Sequence, residues 1–169
     1  MKNMVLVYLV AFALPVFAQD MNQELIDEDL GKNYLIGFCD RSAFLNPNYS
    51  EWFTEEYDNY ALDFDAIESF RDAMEDVHVT IVIATWCSDS RREVPRFYRI
   101  LDELFYPEDK VTLISVNMEK MGLKDEVDDL NILSVPTFIF YRNSEEIGRI
   151  IESPDDSLES DLRGIVVGK

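Results

Sequence analysis

The segment from Val77 to Pro95 constrains the fold most, because it is a buried strand pattern that passes directly into a helix pattern. Every residue of Val79–Ile83 is β-branched, which favours a buried strand. Trp86 and Cys87 follow at the turn, where a cysteine faces the free N–H groups and the positive dipole end of the helix. Such surroundings favour thiolate over thiol. The segment therefore indicates thiol chemistry.

Residues 1–18 have the pattern of a secretory signal peptide. Lys2 precedes an uncharged apolar stretch, Met4–Phe17, whose 14 residues are fewer than the about 20 that span a bilayer. Small residues end this stretch, and Ala18 is the predicted cleavage position. We therefore expect a periplasmic or secreted protein without a stable membrane span after cleavage. An uncleaved N-terminal anchor is the alternative.

Composition narrows the possible partners. The net charge of −19 argues against nucleic acid, because phosphate binding needs clustered lysine and arginine. The chain has one histidine and two cysteines, neither of them in a C-x-x-C pair, so we expect no metal site and no cofactor. With 169 residues and 47% hydrophobic residues, the sequence predicts one folded domain.

The acidic region of residues 19–76 is predicted to be an N-terminal extension that packs on the core, because no Pro/Gly/Ser-rich linker follows it. Its predicted elements are a short helix at Gln23–Leu30, a strand at Tyr34–Phe38 that ends near Cys39, and a helix from Ser50 to about Tyr60. The aromatic residues of this last helix recur at helical spacing, which predicts a stripe facing the core.

From residue 66 onwards, predicted strands alternate with helices, and a hairpin and a closing helix follow. This order predicts an α/β protein with a mixed central sheet, helices on both faces and a core at residues 77–169. The further predicted elements are a helix capped by Asp65 and running to about Glu75, strands at Val77–Ala84 and Val111–Val116, a helix from Ser90 to about Phe105, a partly helical Met118–Leu130, a hairpin of Thr137–Tyr141 and Ile147–Ile151, and a helix begun by Asp156 and running to about Val167.

Three features in this order resemble the thioredoxin-like family. They are the Trp86-Cys87 pair, Pro95 eight residues after the cysteine, and the sequence Val135-Pro136-Thr137 before the hairpin. The resemblance implies the thioredoxin fold, a cis peptide bond before Pro136, and a loop beside Cys87 whose Val135 backbone binds an extended substrate. It also points to exported proteins of the bacterial envelope that carry an acidic, aromatic-rich extension.

Two positions depart from the family pattern. Ser90 stands where the second cysteine of the family's C-x-x-C pair lies, and Ile81 stands where thioredoxins carry a buried acid. The chain therefore resembles members with a C-x-x-S site, which form mixed disulfides that they cannot resolve alone. The Ser90 hydroxyl is expected to donate a hydrogen bond to the thiolate. Cys39 is an inert cysteine at a strand end, a resolving partner for Cys87, or a cysteine with another pairing.

The function predicted on these grounds is that of a thiol–disulfide oxidoreductase or isomerase-like protein. Cys87 would form mixed disulfides with client proteins that carry thiols or disulfides, or with a small thiol. The alternative is a redox-inactive thioredoxin-fold binding or chaperone module of the cell envelope, which Ser90 and Ile81 favour. A peroxide-reducing enzyme is less well supported, because Thr85 alone matches such a site.

Overall fold

The computed structural model describes residues 21–28 and 31–168. The predicted signal peptide at residues 1–18 lies outside the described residues. Within the described part of the chain, no helix is both long enough and apolar enough to cross a membrane.

Six strands, four α-helices and three short 3-10 helices (Arg41–Leu45, Asp72–Met74 and Glu108–Lys110) make up the regular structure of the described residues. The strands are β1 (Gln23–Asp27), β2 (Lys32–Cys39), β3 (Val77–Ile83), β4 (Val111–Ser115), β5 (Thr137–Arg142) and β6 (Glu145–Ile151). The helices are α1 (Pro47–Asn59), α2 (Phe64–Phe70), α3 (Ser88–Glu103) and α4 (Leu158–Val166).

The strands form one mixed sheet in the order β1-β2-β4-β3-β5-β6. Strands β3 and β4 are parallel, whereas the other neighbouring pairs are antiparallel. The α/β fold and the mixed sheet predicted from the sequence are therefore confirmed. The N-terminal hairpin β1–β2 belongs to this same sheet, because Gly37 and Cys39 pair with Ser115 and Leu113 of β4.

The larger hydrophobic cluster covers one face of the sheet, and all four helices contribute to it. Phe53, Phe70, Phe97 and Leu162 are the contributions of α1, α2, α3 and α4. The ring of Phe97 lies 4.6 Å from that of Phe138 on β5, so the helix carrying the Cys87 turn is fixed to the sheet by aromatic packing.

The opposite face of the sheet is covered by a second, smaller cluster. Val82 and Ala84 belong to it, whereas Val79, Ile81 and Ile83 belong to the larger cluster, as expected for side chains that alternate along a strand. The segment after β4 closes this face with Val127, Leu130 and Ile132.

The helix expected within Met118–Leu130 is not formed, so this prediction is wrong. The segment consists of turns, in which Leu130 N–H donates to Val127 O at 3.0 Å. Asp125, Asp128 and Asp129 would place like charges one helical turn apart, which destabilises a helix. The apolar residues between them still reach the sheet, so the cluster forms without helical structure.

The helix expected at Gln23–Leu30 is also wrong, since Gln23–Asp27 is strand β1. Its residues pair in antiparallel register with β2, from Gln23 opposite Ile36 to Asp27 opposite Lys32. Weak helix propensity is readily overridden by such pairing, because the partner strand supplies the backbone hydrogen bonds.

Helix α1 begins before the predicted Ser50. The Asn46 side chain accepts a hydrogen bond from Asn48 N–H, and Pro47 occupies the first turn, where its missing N–H costs nothing. The predicted aromatic stripe is confirmed, because Phe53 is buried and Trp52, Tyr57 and Tyr60 pack against the larger cluster.

The other helix boundaries differ from the prediction by a few residues. Asp63 caps α2 rather than Asp65, through a 2.9 Å hydrogen bond from Ala66 N–H. Ser157 caps α4 rather than Asp156, through a 3.1 Å bond from Ser160 N–H. Each true cap places its side-chain oxygen on a free N–H of the first turn.

An ion pair joins the N-terminal extension to α3. Arg41 donates to both carboxylate oxygens of Asp102, at 2.7 and 2.6 Å, and Tyr57 of α1 donates to the same carboxylate at 2.5 Å. Burial raises the pKa of Asp102, but the hydrogen bonds from Arg41 and Tyr57 outweigh this effect and hold it below the usual value. The extension therefore packs directly on the helix that carries the candidate site.

Candidate thiol site

The candidate site forms where β3 passes into α3. Cys87 is the N-cap residue of α3, with extended backbone, and its carbonyl accepts the hydrogen bond of Arg91 N–H at 3.1 Å. Cys87 N–H itself donates to Ala84 O at 3.0 Å, which closes the turn. Pro95 lies inside α3, as expected from its spacing. The cysteine is thus held at the positive end of a 16-residue helix.

The Cys87 thiol lies against the loop that precedes β5. Its Sγ donates to the carbonyl oxygen of Val135 at 3.3 Å, and the Val135–Pro136 peptide bond is cis. Val135 is buried, whereas Cys87 is partly exposed. The loop implied by the resemblance therefore lies beside the cysteine, and the sulfur remains open to a ligand.

Trp86 and Thr85, the two residues before Cys87, are each held by a hydrogen bond to a neighbouring part of the sheet. Trp86 Nε1 donates to Val116 O at 3.3 Å, just beyond the end of β4. Thr85 is buried, and its Oγ1 accepts a hydrogen bond from Leu35 N–H of β2 at 3.1 Å. The N-terminal hairpin is therefore bonded to the residue that lies two positions before Cys87.

Ser90 is fully buried beneath the turn. Its Oγ accepts a hydrogen bond from Ala84 N–H at 3.2 Å, so the hydroxyl helps to join the end of β3 to the first turn of α3. Because this side chain is buried and bonded to the end of β3, it has a structural role at the turn. The expected bond from Ser90 to a Cys87 thiolate stays a prediction.

Ile81 is fully buried within the larger cluster. An isoleucine side chain has no titratable group, so no proton can pass through this position.

Cys39 does not lie beside Cys87. It is on β2, and β4 separates that strand from β3. Two strand spacings place Cys39 roughly 10 Å from β3 across the sheet. A disulfide needs Cα atoms within about 7 Å. Both cysteines are free, and this geometry argues against the resolving role considered for Cys39.

The surroundings of Cys39 are those of an inert thiol. The side chain is 4% exposed, and its Sγ donates to Gly37 O at 3.5 Å. Burial raises the pKa of Cys39 to about 12, although hydrogen bonds from the backbone of Ser115 and Asn22 oppose the rise. Cys39 is therefore protonated at physiological pH.

Sequence reasoning missed one element of the site. A groove of about 460 Å³ lies beside Trp86, between the N-terminal hairpin and the loop after β4, and Arg91 lines it. The position of Arg91 one turn after Cys87 could have suggested that it shares a helix face with the cysteine. The hairpin wall could not have been found, because it depends on long-range strand pairing.

The fold and the cysteine at the strand-to-helix turn define a thioredoxin-fold thiol protein. The family profile described as thioredoxin matches residues 61–163, which is more than half of the chain. The chain therefore belongs to the thioredoxin family. This relationship supports a thiol–disulfide oxidoreductase-like function.

Two curated relatives illustrate the match. A thioredoxin-like protein of Acanthamoeba polyphaga mimivirus is 29% identical over 100 residues, which are 57% of this chain and 70% of that protein. Mitochondrial thioredoxin O of Oryza sativa subsp. japonica is 29% identical over 104 residues, which are 58% of each chain. The match thus spans less than two thirds of the rice protein.

A solved structure extends the fold comparison towards the N-terminus. A protein of unknown function from Pseudomonas aeruginosa superposes with a TM-score of 0.52 at 13% identity, covering 76% of this chain and 80% of that one. At this identity the likeness concerns the fold alone.

Proposed function

We propose that the protein is a monothiol thiol–disulfide oxidoreductase or isomerase-like protein that acts through mixed disulfides at Cys87. The observation that carries the proposal is the partly exposed Cys87 at the N-cap of α3, with its Sγ 3.3 Å from the Val135 carbonyl. Family membership supports the same class of chemistry. The substrates are proteins with thiols or disulfides, or a small thiol.

The first step begins when Cys87, which is partly exposed, gives its proton to water. The Cys87 thiolate then attacks one sulfur of the client disulfide. A bond forms between Cys87 Sγ and that sulfur, the client S–S bond breaks, and the departing thiolate takes a proton from water. The helix N-terminus stabilises the attacking thiolate electrostatically.

The loop before β5 provides the surface on which the client is held. Val135 and Pro136 lie beside the reacting sulfur, and the main chain of Val135 is the proposed partner for an extended client segment. Trp86, the residue before Cys87, is also partly exposed. The client sulfur would approach Cys87 beside this loop.

The mixed disulfide needs a second thiol for its release. Ser90 has no sulfur with which to displace Cys87, and Cys39 lies across the sheet. A small thiol from solution, or a second client thiol, therefore attacks the mixed disulfide and restores Cys87. Release by a client's own thiol rearranges its disulfides without net oxidation, which is isomerisation.

The test is capture of the mixed disulfide by intact-protein mass spectrometry. The protein without residues 1–18 is incubated with a peptide disulfide that bears an aryl thiol leaving group. We expect one peptide adduct on the wild type and on Cys39→Ser, and none on Cys87→Ala. An adduct that persists on Cys87→Ala, or its absence from the wild type, would overturn the proposal.

A binding role without redox turnover is the second candidate function. It is favoured by buried Ile81, which replaces the family's acid, and by Ser90, whose hydroxyl is bonded to the turn rather than free in solvent. If this candidate is correct, Cys87→Ala retains the affinity of the wild type for an unfolded client in a titration. A large loss of affinity would contradict it.

We further propose that the protein is exported and acts in the periplasm or outside the cell. The charged start, the apolar stretch and the small residues before Gln19 support this location. Mass spectrometry of the protein from a periplasmic fraction should show an N-terminus at Gln19. Recovery only as a membrane-bound or cytoplasmic full-length chain would contradict export.

A further inference from the structure

The groove is lined by Trp86, which precedes Cys87 in the chain, and by Arg91 near the start of α3. Its inner wall consists of partly buried side chains, which include Tyr34, Trp86, Arg91 and Asn117. Its rim is exposed and includes Lys32 and Met118. A volume of about 460 Å³ falls in the range of sites that take small molecules or short peptide segments.

The N-terminal hairpin forms one wall of this groove. Gly37 pairs with Ser115, the last residue of β4, so the residues that precede Gly37 extend past the end of that strand towards the Cys87 turn. Leu35 is held there by two hydrogen bonds: its N–H donates to Thr85 at 3.1 Å, and its carbonyl accepts from the Ser115 hydroxyl at 2.7 Å. The hairpin wall lies outside residues 61–163, which match the thioredoxin family, so it is a feature of this chain's extension.

The loop after β4 forms the facing wall. Asn117 Oδ1 accepts a hydrogen bond from Met121 N–H at 2.9 Å, and Asn117 N–H donates to Met121 O at 3.0 Å. These two bonds close the loop on itself and present Met118 at the rim of the groove. Both walls of the groove are thus held in place by hydrogen bonds.

Arg91 is the cation on the inner wall of the groove. It lies one helical turn after Cys87, and its Nε donates to Thr85 O at 2.6 Å. Its neighbours on α3 are matched by carboxylates: Arg92 pairs with Asp89 at 2.8 Å, and Arg96 pairs with Glu56 at 2.6 Å. Arg91, by contrast, takes part in none of the side-chain salt bridges found within the described part of the chain.

We infer that this groove is a specificity subsite in which Arg91 binds a carboxylate located close to the reacting sulfur of the substrate. A guanidinium with one nitrogen bound to the protein keeps its two terminal nitrogens for a planar anion, and a carboxylate matches that fork. Lys32 at the rim adds a second positive charge. The inference rests on the proposed function, because the reacting sulfur is the one attacked by Cys87.

The other charges of the groove make this selectivity depend on direct contact. Glu28 and Glu119 lie on the exposed rim, and the partly buried Asp27 also lines the groove. These carboxylates and the net charge of −19 repel an acidic ligand at long range. An acidic substrate therefore gains over a neutral one only when its carboxylate reaches Arg91. A substrate protein segment and a small carboxylate-bearing thiol both supply this chemistry.

The experiment measures the rate constant for mixed-disulfide formation with capped peptides that differ at one position, two residues from the cysteine. That position is Asp or Asn, and every peptide carries the same aryl thiol leaving group. We expect the Asp-to-Asn rate ratio to fall by about five- to tenfold in Arg91→Gln relative to wild type. Arg91→Lys, which keeps the charge, should retain part of the preference and shows that loss in Arg91→Gln is not misfolding.

Arg92→Gln is the matched control, because it removes the same charge from the adjacent position outside the groove. Its Asp-to-Asn ratio should stay within about twofold of wild type, since screened charges at a distance contribute little. If Arg91→Gln lowers the rates of both peptides equally, Arg91 acts on the thiolate rather than on the substrate, and the inference is overturned. The inference is also overturned if the Asp-to-Asn rate ratio falls as much in Arg92→Gln as in Arg91→Gln.

A second arm distinguishes the two sources of the carboxylate. Dithiodipropionate is compared with its neutral diamide in the same variants. An Arg91-dependent preference in this arm assigns the subsite to small thiols, whereas a preference confined to the peptides assigns it to protein segments. Absence of a preference in both arms overturns the inference.

Binding without reaction separates this inference from the proposed function. Cys87→Ser is titrated calorimetrically with the same peptides, in which serine replaces the cysteine. An Arg91-dependent preference for the acidic peptide, together with no adduct on the wild type, would refute the proposed function and leave the subsite. Adducts on the wild type without any preference for the acidic peptide would refute the subsite and leave the proposed function.

Discussion

Replacing Cys87 with serine leaves Cys39 as the sole thiol, and we expect this variant to resist alkylation in its native state. Burial raises the pKa of Cys39 to about 12, so at pH 8 about one molecule in ten thousand carries the thiolate. A free cysteine with a pKa of about 8.5 is roughly one quarter ionised at the same pH. The thiolate fraction alone therefore slows alkylation by about two thousandfold.

The assay is the time course of iodoacetamide labelling at pH 8, followed by intact-protein mass spectrometry. Cys39→Ser, in which Cys87 is the sole thiol, provides the comparison and should be labelled much faster. In a denaturing concentration of urea both variants should be labelled at the rate of a free cysteine. The burial argument is refuted if native Cys87→Ser is labelled within about tenfold of the free-cysteine rate.

Three further predictions concern the turn, the hairpin and the acid limb of stability. In Ser90→Cys the peptide adduct on Cys87 should be shorter-lived than in the wild type, because a second sulfur then lies one turn from Cys87. An adduct that lasts as long as the one on Ser90→Ala, measured by mass spectrometry, would contradict this. Thr85→Val removes the acceptor of Leu35 N–H and should lower the free energy of unfolding by about 1–3 kcal/mol in urea denaturation, with no loss expected if the hairpin bond is unimportant. Because the pKa of Asp102 is lowered in the folded state, its contribution to the free energy of unfolding is complete near neutral pH and is lost as pH falls below about 4. Asp102→Asn should therefore flatten the dependence of this free energy on pH in the acid range. An unchanged dependence would refute the role of the ion pair.

The features that could be predicted from the sequence are those set by local pattern. The β-branched run Val79–Ile83 forms a strand, and Cys87 follows at the helix start because the pattern changes there. The hairpin of β5 and β6 is likewise indicated by the aromatic, β-forming run Thr137–Tyr141 and the turn that follows it. These elements depend on neighbours in the chain, which single-sequence reasoning can read.

The parts that the sequence did not reveal depend on distant residues. Gln23–Asp27 is a strand only because β2 pairs with it, and the groove exists only because β2 runs antiparallel to β4. The separation of Cys39 from Cys87 follows from the same strand order. The aspartates after β4 recur at helical spacing, so the turns that cover the sheet there could not be distinguished from a short helix.

The pairing of β2 with β4 also has a consequence for solubility. A chain shortened to the matched family region, residues 61–163, would lose both strands of the hairpin and leave Val111–Ser115 as an open edge. That strand carries buried apolar residues such as Ile114, and an unpaired apolar edge invites association with other chains. In the whole protein β2 pairs with this edge, with Phe38 opposite Ile114. The N-terminal extension thus keeps the β4 edge of the family core from being open to other chains.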